Sequence, residues 1–213
     1  MHYKTGPCGL LAALACSLVI AAPVLQSPKL SNAKVVAVEY SLGPGETAPL
    51  NTQHAGVTVY LDAGSLVVTP KGESPNHVTV KRGDTVFLPA RDGTVKNSGS
   101  RELRFVRVDF LGAGKAGTWG TTGLSPNYKL LFENSSARVY DIRIPAGTKE
   151  PQHTHKDRVV VCLSGAKLMH LMPDGRQEPS TLETGEVAWR LGATHIGQNL
   201  GATDLWVIAI EPK

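Results

Sequence analysis

The chain repeats itself. When its 213 residues are laid against themselves at an offset of 102, Gly45 falls on Gly147, Gly83 on Gly185, Asn97 on Asn199, Gly99 on Gly201 and Leu103 on Leu205. The string Gly83-Asp-Thr-Val-Phe-Leu88 answers Gly185-Glu-Val-Ala-Trp-Arg190, and KNSGSRELRFVRV answers QNLGATDLWVIAI. Small residues held in register over that length mark an internal duplication. Whatever one copy folds into, the other must be able to fold into as well.

The local pattern says what that unit is. Beyond residue 30 no segment carries a helical period. Alternating or β-branched runs recur instead at 34–41, 56–61, 64–69, 77–81, 84–88 and 103–110, and again at 128–133, 137–144, 158–163, 166–172, 176–182, 186–190 and 203–211. The 22 glycines and 14 prolines fall largely between them, as turns require. Each copy, about eighty residues of short antiparallel strands, is large enough for a small sandwich or barrel. The expectation is an all-β protein of two tandem barrels over 34–112 and 128–213, joined by a Gly-rich linker at 113–127.

The first 22 residues read differently. Lys4 precedes the apolar stretch Leu10–Ala22, too short to span a membrane and ending in small residues that suit signal cleavage near Ala21 or Ala22. This predicts secretion or periplasmic export, with an uncleaved anchor as the alternative. Removal would take Cys8 and Cys16 and leave Cys162 as a single cysteine inside an apolar strand, with no internal disulfide. The net charge of +4 is not gathered into a lysine or arginine run, which argues against a nucleic-acid surface.

Chemistry concentrates in the second copy. His153 and His155 share a face of any strand that carries them, and His195 follows forty residues later. Three imidazoles on one point would cap a divalent ion and leave positions open for substrate. At the repeat offset these histidines fall on Asn51, Gln53 and Gly93, so the fold itself does not need them.

The pattern resembles the cupin superfamily. Its first motif, G-x5-H-x-H-x3-4-E-x6-G, compares with Gly147, His153, His155, Arg158 and Gly165. Its second, G-x5-P-x-G-x2-H-x3-N, compares with Gly185, Gly192, His195 and Asn199, with Arg190 where the proline is usual. The duplicated organisation looks like a bicupin whose first repeat lacks the histidines. The resemblance implies a jelly-roll barrel per copy and a metal at the second barrel's mouth held by His153, His155 and His195. It also departs from the pattern, since the family's glutamate lands on Arg158, which cannot ligate a metal.

Asp157, of the same strand parity as His153 and His155, is a candidate fourth ligand; the alternative has it capping the turn or pairing with Arg158. Arg158, His170 and Asn199 are candidate substrate contacts. Imidazoles suit Fe, Mn, Zn, Ni and Cu alike. With no anionic protein ligand such an ion keeps its +2 charge and seeks an anionic chelating substrate. By resemblance that points to a three-histidine dioxygenase, with iron the favoured metal. The competing expectation is a non-catalytic barrel binding a sugar or organic acid, with or without metal. Partners are then a small molecule and, through strand edges, a second copy as a homodimer, with no nucleic acid and no integral membrane domain in the mature chain.

Overall fold

The computed structural model describes residues 25–50, 53–112 and 124–213. The signal reading, Cys8 and Cys16, Asn51, and positions 113–123 of the linker fall outside the described residues. The first half contributes β1 (Leu25–Ser31), β2 (Val35–Leu42), β3 (Thr47–Pro49), β4 (Gly56–Tyr60), β5 (Gly64–Pro70), β6 (Asn76–Val80), β7 (Thr85–Leu88), β8 (Gly93–Asn97) and β9 (Leu103–Phe110). The second contributes β10 (Tyr128–Glu133), β11 (Ala137–Ile144), β12 (His153–His155), β13 (Arg158–Ser164), β14 (Ala166–Leu171), β15 (Gln177–Leu182), β16 (Val187–Arg190), β17 (Ala193–Asn199) and β18 (Leu205–Pro212). The described residues contain no helix. None is therefore long and apolar enough to cross a membrane.

Each half pairs a five-stranded with a four-stranded sheet, in the orders β1-β2-β9-β4-β7 and β3-β8-β5-β6, then β10-β11-β18-β13-β16 and β12-β17-β14-β15. These orders are the same under the offset, and every pairing is antiparallel. The fold is thus all-β, two jelly rolls in tandem. One irregularity repeats as well: β1 slips register between Pro28 and Leu30, and β10 between Leu130 and Phe132. Gly45 and Gly147, at φ +78° and +71°, and Gly83 and Gly185, at +86° and +87°, take turns that a Cβ would strain.

The inner strands β4, β9, β13 and β18 of the five-stranded sheets are largely buried on both faces, which explains runs such as Val159-Val160-Val161-Cys162-Leu163. Val35, Val59 and Val108 of one sheet, with Val139, Val161 and Ile208 of the other, form a single apolar layer between the halves. The opposite faces of the same strands look into each half's own interior, through Leu42 and Phe105 in the first and Ile142 and Val207 in the second. At the border Lys34 bonds Asp157 at 3.0 Å, and Phe87 meets Phe132 edge-on at 6.5 Å.

Candidate functional site

The interiors of the two halves differ although their strands do not. The first is closed by three rings: Tyr40 stacks on Phe105 at 5.2 Å between centroids, and Tyr60 tilts against Phe105 at 5.8 Å. At the offset those positions hold Ile142, Cys162 and Val207. Tyr128 and Tyr140, edge to face at 5.7 Å where the first half has Gln26 and Val38, return part of the volume of the three lost rings, and the remainder is space that the strands cannot collapse to fill. The second half accordingly encloses a cavity of about 480 Å³ whose lining includes Tyr128, Glu150, His155, Arg158, His170 and His195.

Polar groups enter where the first half has small or apolar ones. Arg158 stands for Gly56, Glu150 for Ala48, His170 for Val68 and His195 for Gly93. The exchange is coordinated with its neighbours: Val95 becomes Gly197, and any Cβ at 197 would strike the Glu150 carboxylate.

The β12–β17 pairing brings the histidines together, with His153 opposite His195 across the ladder and His155 on the same face of β12. Ring centroids lie 4.8 Å apart for His153 and His195, 4.9 Å for His155 and His195, and 6.0 Å for His153 and His155. All three side chains are buried. Burial, reinforced by the Arg158 cation, pushes His155 down to about 2. Burial also leads in pushing His195 down to about 3, followed by neighbouring His170, His153 and Arg158. Both rings are therefore neutral near pH 7, the form that ligates metals or accepts hydrogen bonds. His155 Nδ1 lies 3.3 Å from the Lys156 carbonyl, which can only accept, so the lone pair falls on Nε2. That Nε2 is buried without a partner.

His153 is engaged at both ends. Its Nδ1 donates to the Pro151 carbonyl at 3.0 Å, and in that tautomer its Nε2 accepts from the Tyr128 hydroxyl at 3.2 Å. Tyr128, pushed up to about 12 chiefly by burial, stays a phenol. Among the described residues no group of three or more His, Cys, Asp or Glu is disposed to hold a metal ion. The donor chemistry of the three imidazoles fits a divalent ion. Their placement does not while Tyr128 holds His153.

Two expectations are corrected. Asp157 is no fourth ligand: its carboxylate is spent on the Gly192 N–H at 2.8 Å and the Lys34 ammonium at 3.0 Å, and it lines a separate groove at the border of the halves. Asn199 is no substrate contact. It is fully buried, its amide nitrogen donates to the carbonyls of Ile144 and Thr203, and its oxygen accepts from Gly201. Asn97 does the same in the first half with Leu42, Arg101 and Gly99, so the motif asparagine serves the fold.

Arg158 and His170 do line the cavity, His170 stacked on His195 at 4.5 Å. Glu150 and Tyr128 escaped the sequence reading. The signal available for Glu150 was its alignment with buried Ala48, a carboxylate where the other copy shows an interior position. Burial raises its carboxyl above the usual range, against a hydrogen bond from Ser125 and the charges of His153 and Arg158. Cys162 is a buried free cysteine, pushed up to about 12 mainly by burial, and so is no nucleophile.

No protein-family model matches the sequence, and no curated protein matches it either. Solved structures do. A cupin 2 conserved barrel domain protein from Leptotrichia buccalis superposes with a TM-score of 0.57 at 15% identity, over 90% of this chain and 90% of that one. A mutant form of salicylate 1,2-dioxygenase from Pseudoaminobacter salicylatoxidans gives 0.57 at 12% identity, over 84% of this chain and 71% of that one. An oxalate decarboxylase from Bacillus subtilis, studied for its Mn(II) centres, gives 0.56 at 12% identity, over 87% and 74%. The likeness is one of fold: the chain is built as jelly rolls similar to those of these proteins.

Proposed function

We propose that the second barrel is a small-molecule-binding barrel and the first a filled scaffold that buries its outer face. One observation carries this: the aromatic plug Tyr40–Tyr60–Phe105 is replaced by Ile142, Cys162 and Val207 just where Glu150, Arg158, His170 and His195 face inward. A protein interior tolerates neither empty volume nor unpartnered polar groups without cost. Both costs on one side of a duplicated fold are offset when a ligand fills the space. The test is a thermal-shift screen of untagged protein against small acids, sugars and thiols, run in parallel on Ile142→Tyr/Val207→Phe, which restores two of the first half's rings. Stabilising compounds are expected for the native chain and none for the filled variant. Equal responses from the two proteins would refute the assignment.

A second reading adds a divalent metal held by His153, His155 and His195, favoured by the orphaned Nε2 of His155 and the neutral state of His155 and His195. Such an ion would supply a Lewis-acidic or redox centre able to gather an anionic chelate and O2, the chemistry of a dioxygenase. In this reading Tyr128 must release His153 and would then present its hydroxyl to whatever enters. Elemental analysis of untagged protein tests it. One equivalent of metal, lost in His153→Ala and held more tightly in Tyr128→Phe, is the expected result; metal-free protein that takes up no Fe, Mn, Zn, Ni or Cu overturns it.

A further inference from the structure

We infer that the second barrel's ligand is a small monocarboxylic acid with an apolar body, anchored through its carboxylate on Arg158. This deepens the ligand-binding reading above and rests on it. The observation is an arginine with no direct ion pair, its charge met only at a distance by Glu150 and Glu211. Among the described residues no carboxylate lies within ion-pair distance of Arg158, and its Nε and Nη1 are buried with no hydrogen-bond partner. Its neighbour Tyr128, whose ring lies 5.9 Å from the guanidinium carbon, is a neutral phenol and supplies no counter-charge. A guanidinium cannot shed its charge to escape such a site, as a lysine or histidine does. Arg158 is half-buried as a residue, yet its Nε and Nη1 are cut off from water without gaining a partner, and an anion bound in the cavity would supply one.

The rest of the lining narrows the anion. Arg190 is already paired with Glu186 at 3.1 Å, and Glu178 with Arg176 at 2.6 Å, which leaves Arg158 as the cation of the cavity wall with no direct ion pair among the described residues. One guanidinium matches one carboxylate in charge and in planar geometry, whereas a phosphate dianion would need a second cation. Glu150 faces the same space, and burial raises its carboxyl, which weakens its repulsion of an incoming carboxylate relative to an exposed glutamate. Ile142, Val160, Leu168, Trp189 and Val207 supply an apolar surface for the remainder of the molecule.

Calorimetric titration of the untagged full chain in the presence of EDTA, with benzoate, benzamide and inorganic phosphate as probes, tests the assignment. Benzoate is expected to bind at least about tenfold more tightly than benzamide, the size of a charge-assisted hydrogen bond, and phosphate not to bind. Arg158→Gln should abolish the preference and Arg158→Lys should keep part of it. Equal binding of the acid and the amide by the native chain, or a preference that survives Arg158→Gln, overturns the carboxylate anchor while leaving a ligand-binding barrel. Phosphate binding stronger than benzoate overturns the choice of anion. Thermal melting keeps the proposal falsifiable if benzoate has the wrong body: an arginine held for a ligand is a burden to the empty protein, so Arg158→Leu should melt higher by about 3 °C or more. A lower melting point would mean that Arg158 serves the fold, and the proposal fails. Uptake of benzoate by Ile142→Tyr/Val207→Phe as well as by the native chain would separately sink the parent reading, because the acid would then be binding elsewhere.

Discussion

Asn97 and Asn199 are fully buried, make equivalent hydrogen bonds, and close equivalent turns in the two halves. Asn32 and Asn134 likewise each accept two backbone N–H groups at the entrance to β2 and β11. Positions that build the barrel have been kept alike on both sides. Positions that line its interior have not, for stacked rings fill one half where imidazoles, a guanidinium and a carboxyl surround a cavity in the other. The difference separates what the jelly roll needs from what a ligand needs, within one molecule and against one background.

The comparison can be broken most forcefully at the plug. Phe105→Ala should cost about 3–5 kcal/mol, whereas Val207→Ala, at the same place beside an existing cavity, should cost about 1–2 kcal/mol. Denaturant unfolding measures both, and equal costs would mean that the second interior is as tightly packed as the first. Next in size, Asn97→Ala and Asn199→Ala should each lose about 2–3 kcal/mol by stranding buried carbonyls, and should match within about 1 kcal/mol. A much larger effect of Asn199→Ala on ligand binding than on stability would return that residue to the site.

The pH dependence sharpens the contrast further. His155 and His195 titrate well below 6.5 in the folded protein, so below that pH the unfolded chain takes up protons the native one refuses. Stability of metal-free protein is therefore full above pH 6.5 and falls on acidification, by about 1.4 kcal/mol per pH unit for each such histidine. Glu150 and Glu211, both raised by burial, work in the opposite direction as pH climbs through the carboxylate range, so the histidine effect is read by difference. His155→Gln should remove about one histidine's share of the slope between about pH 6 and pH 4, and an unchanged slope would contradict the buried neutral ring. The smallest effect belongs to Asp157→Asn: loss of its exposed pairing with Lys34 should shift stability by less than about 1 kcal/mol and leave ligand affinity alone.

Much of the architecture was legible in the sequence because it is written twice. β2 and β11, β7 and β16, and β9 and β18 begin and end at positions related by the offset, and their β-branched alternation marks them. Strands β3, β8, β12 and β17 leave no such pattern, since they are short or carry Gly, Thr, His and Lys in place of an apolar face. β1 hides behind an exposed, proline-bearing sequence, Leu25–Ser31, and is seen only through its pairing with β2. The shared face of His153 and His155 followed from spacing and the approach of His195 from the family resemblance; the Tyr128 bond that occupies His153 followed from neither, because it joins strands remote in sequence. Strand parity suggested Asp157 as a ligand, but the chain leaves β12 at His155, and parity carries no information past a strand's end. The cavity was the hardest to foresee, for it arises from side-chain volumes on three strands that matter only once the inward face of each is known.

A crystal structure of the untagged protein grown with benzoate tests the central claim most directly. Density for one acid is expected inside the second barrel, its carboxylate on Arg158 and its ring toward Trp189, with no acid in the first barrel's interior, where Tyr40, Tyr60 and Phe105 pack. Density in the first barrel, or only on the outer surface with the second interior closed, would contradict it.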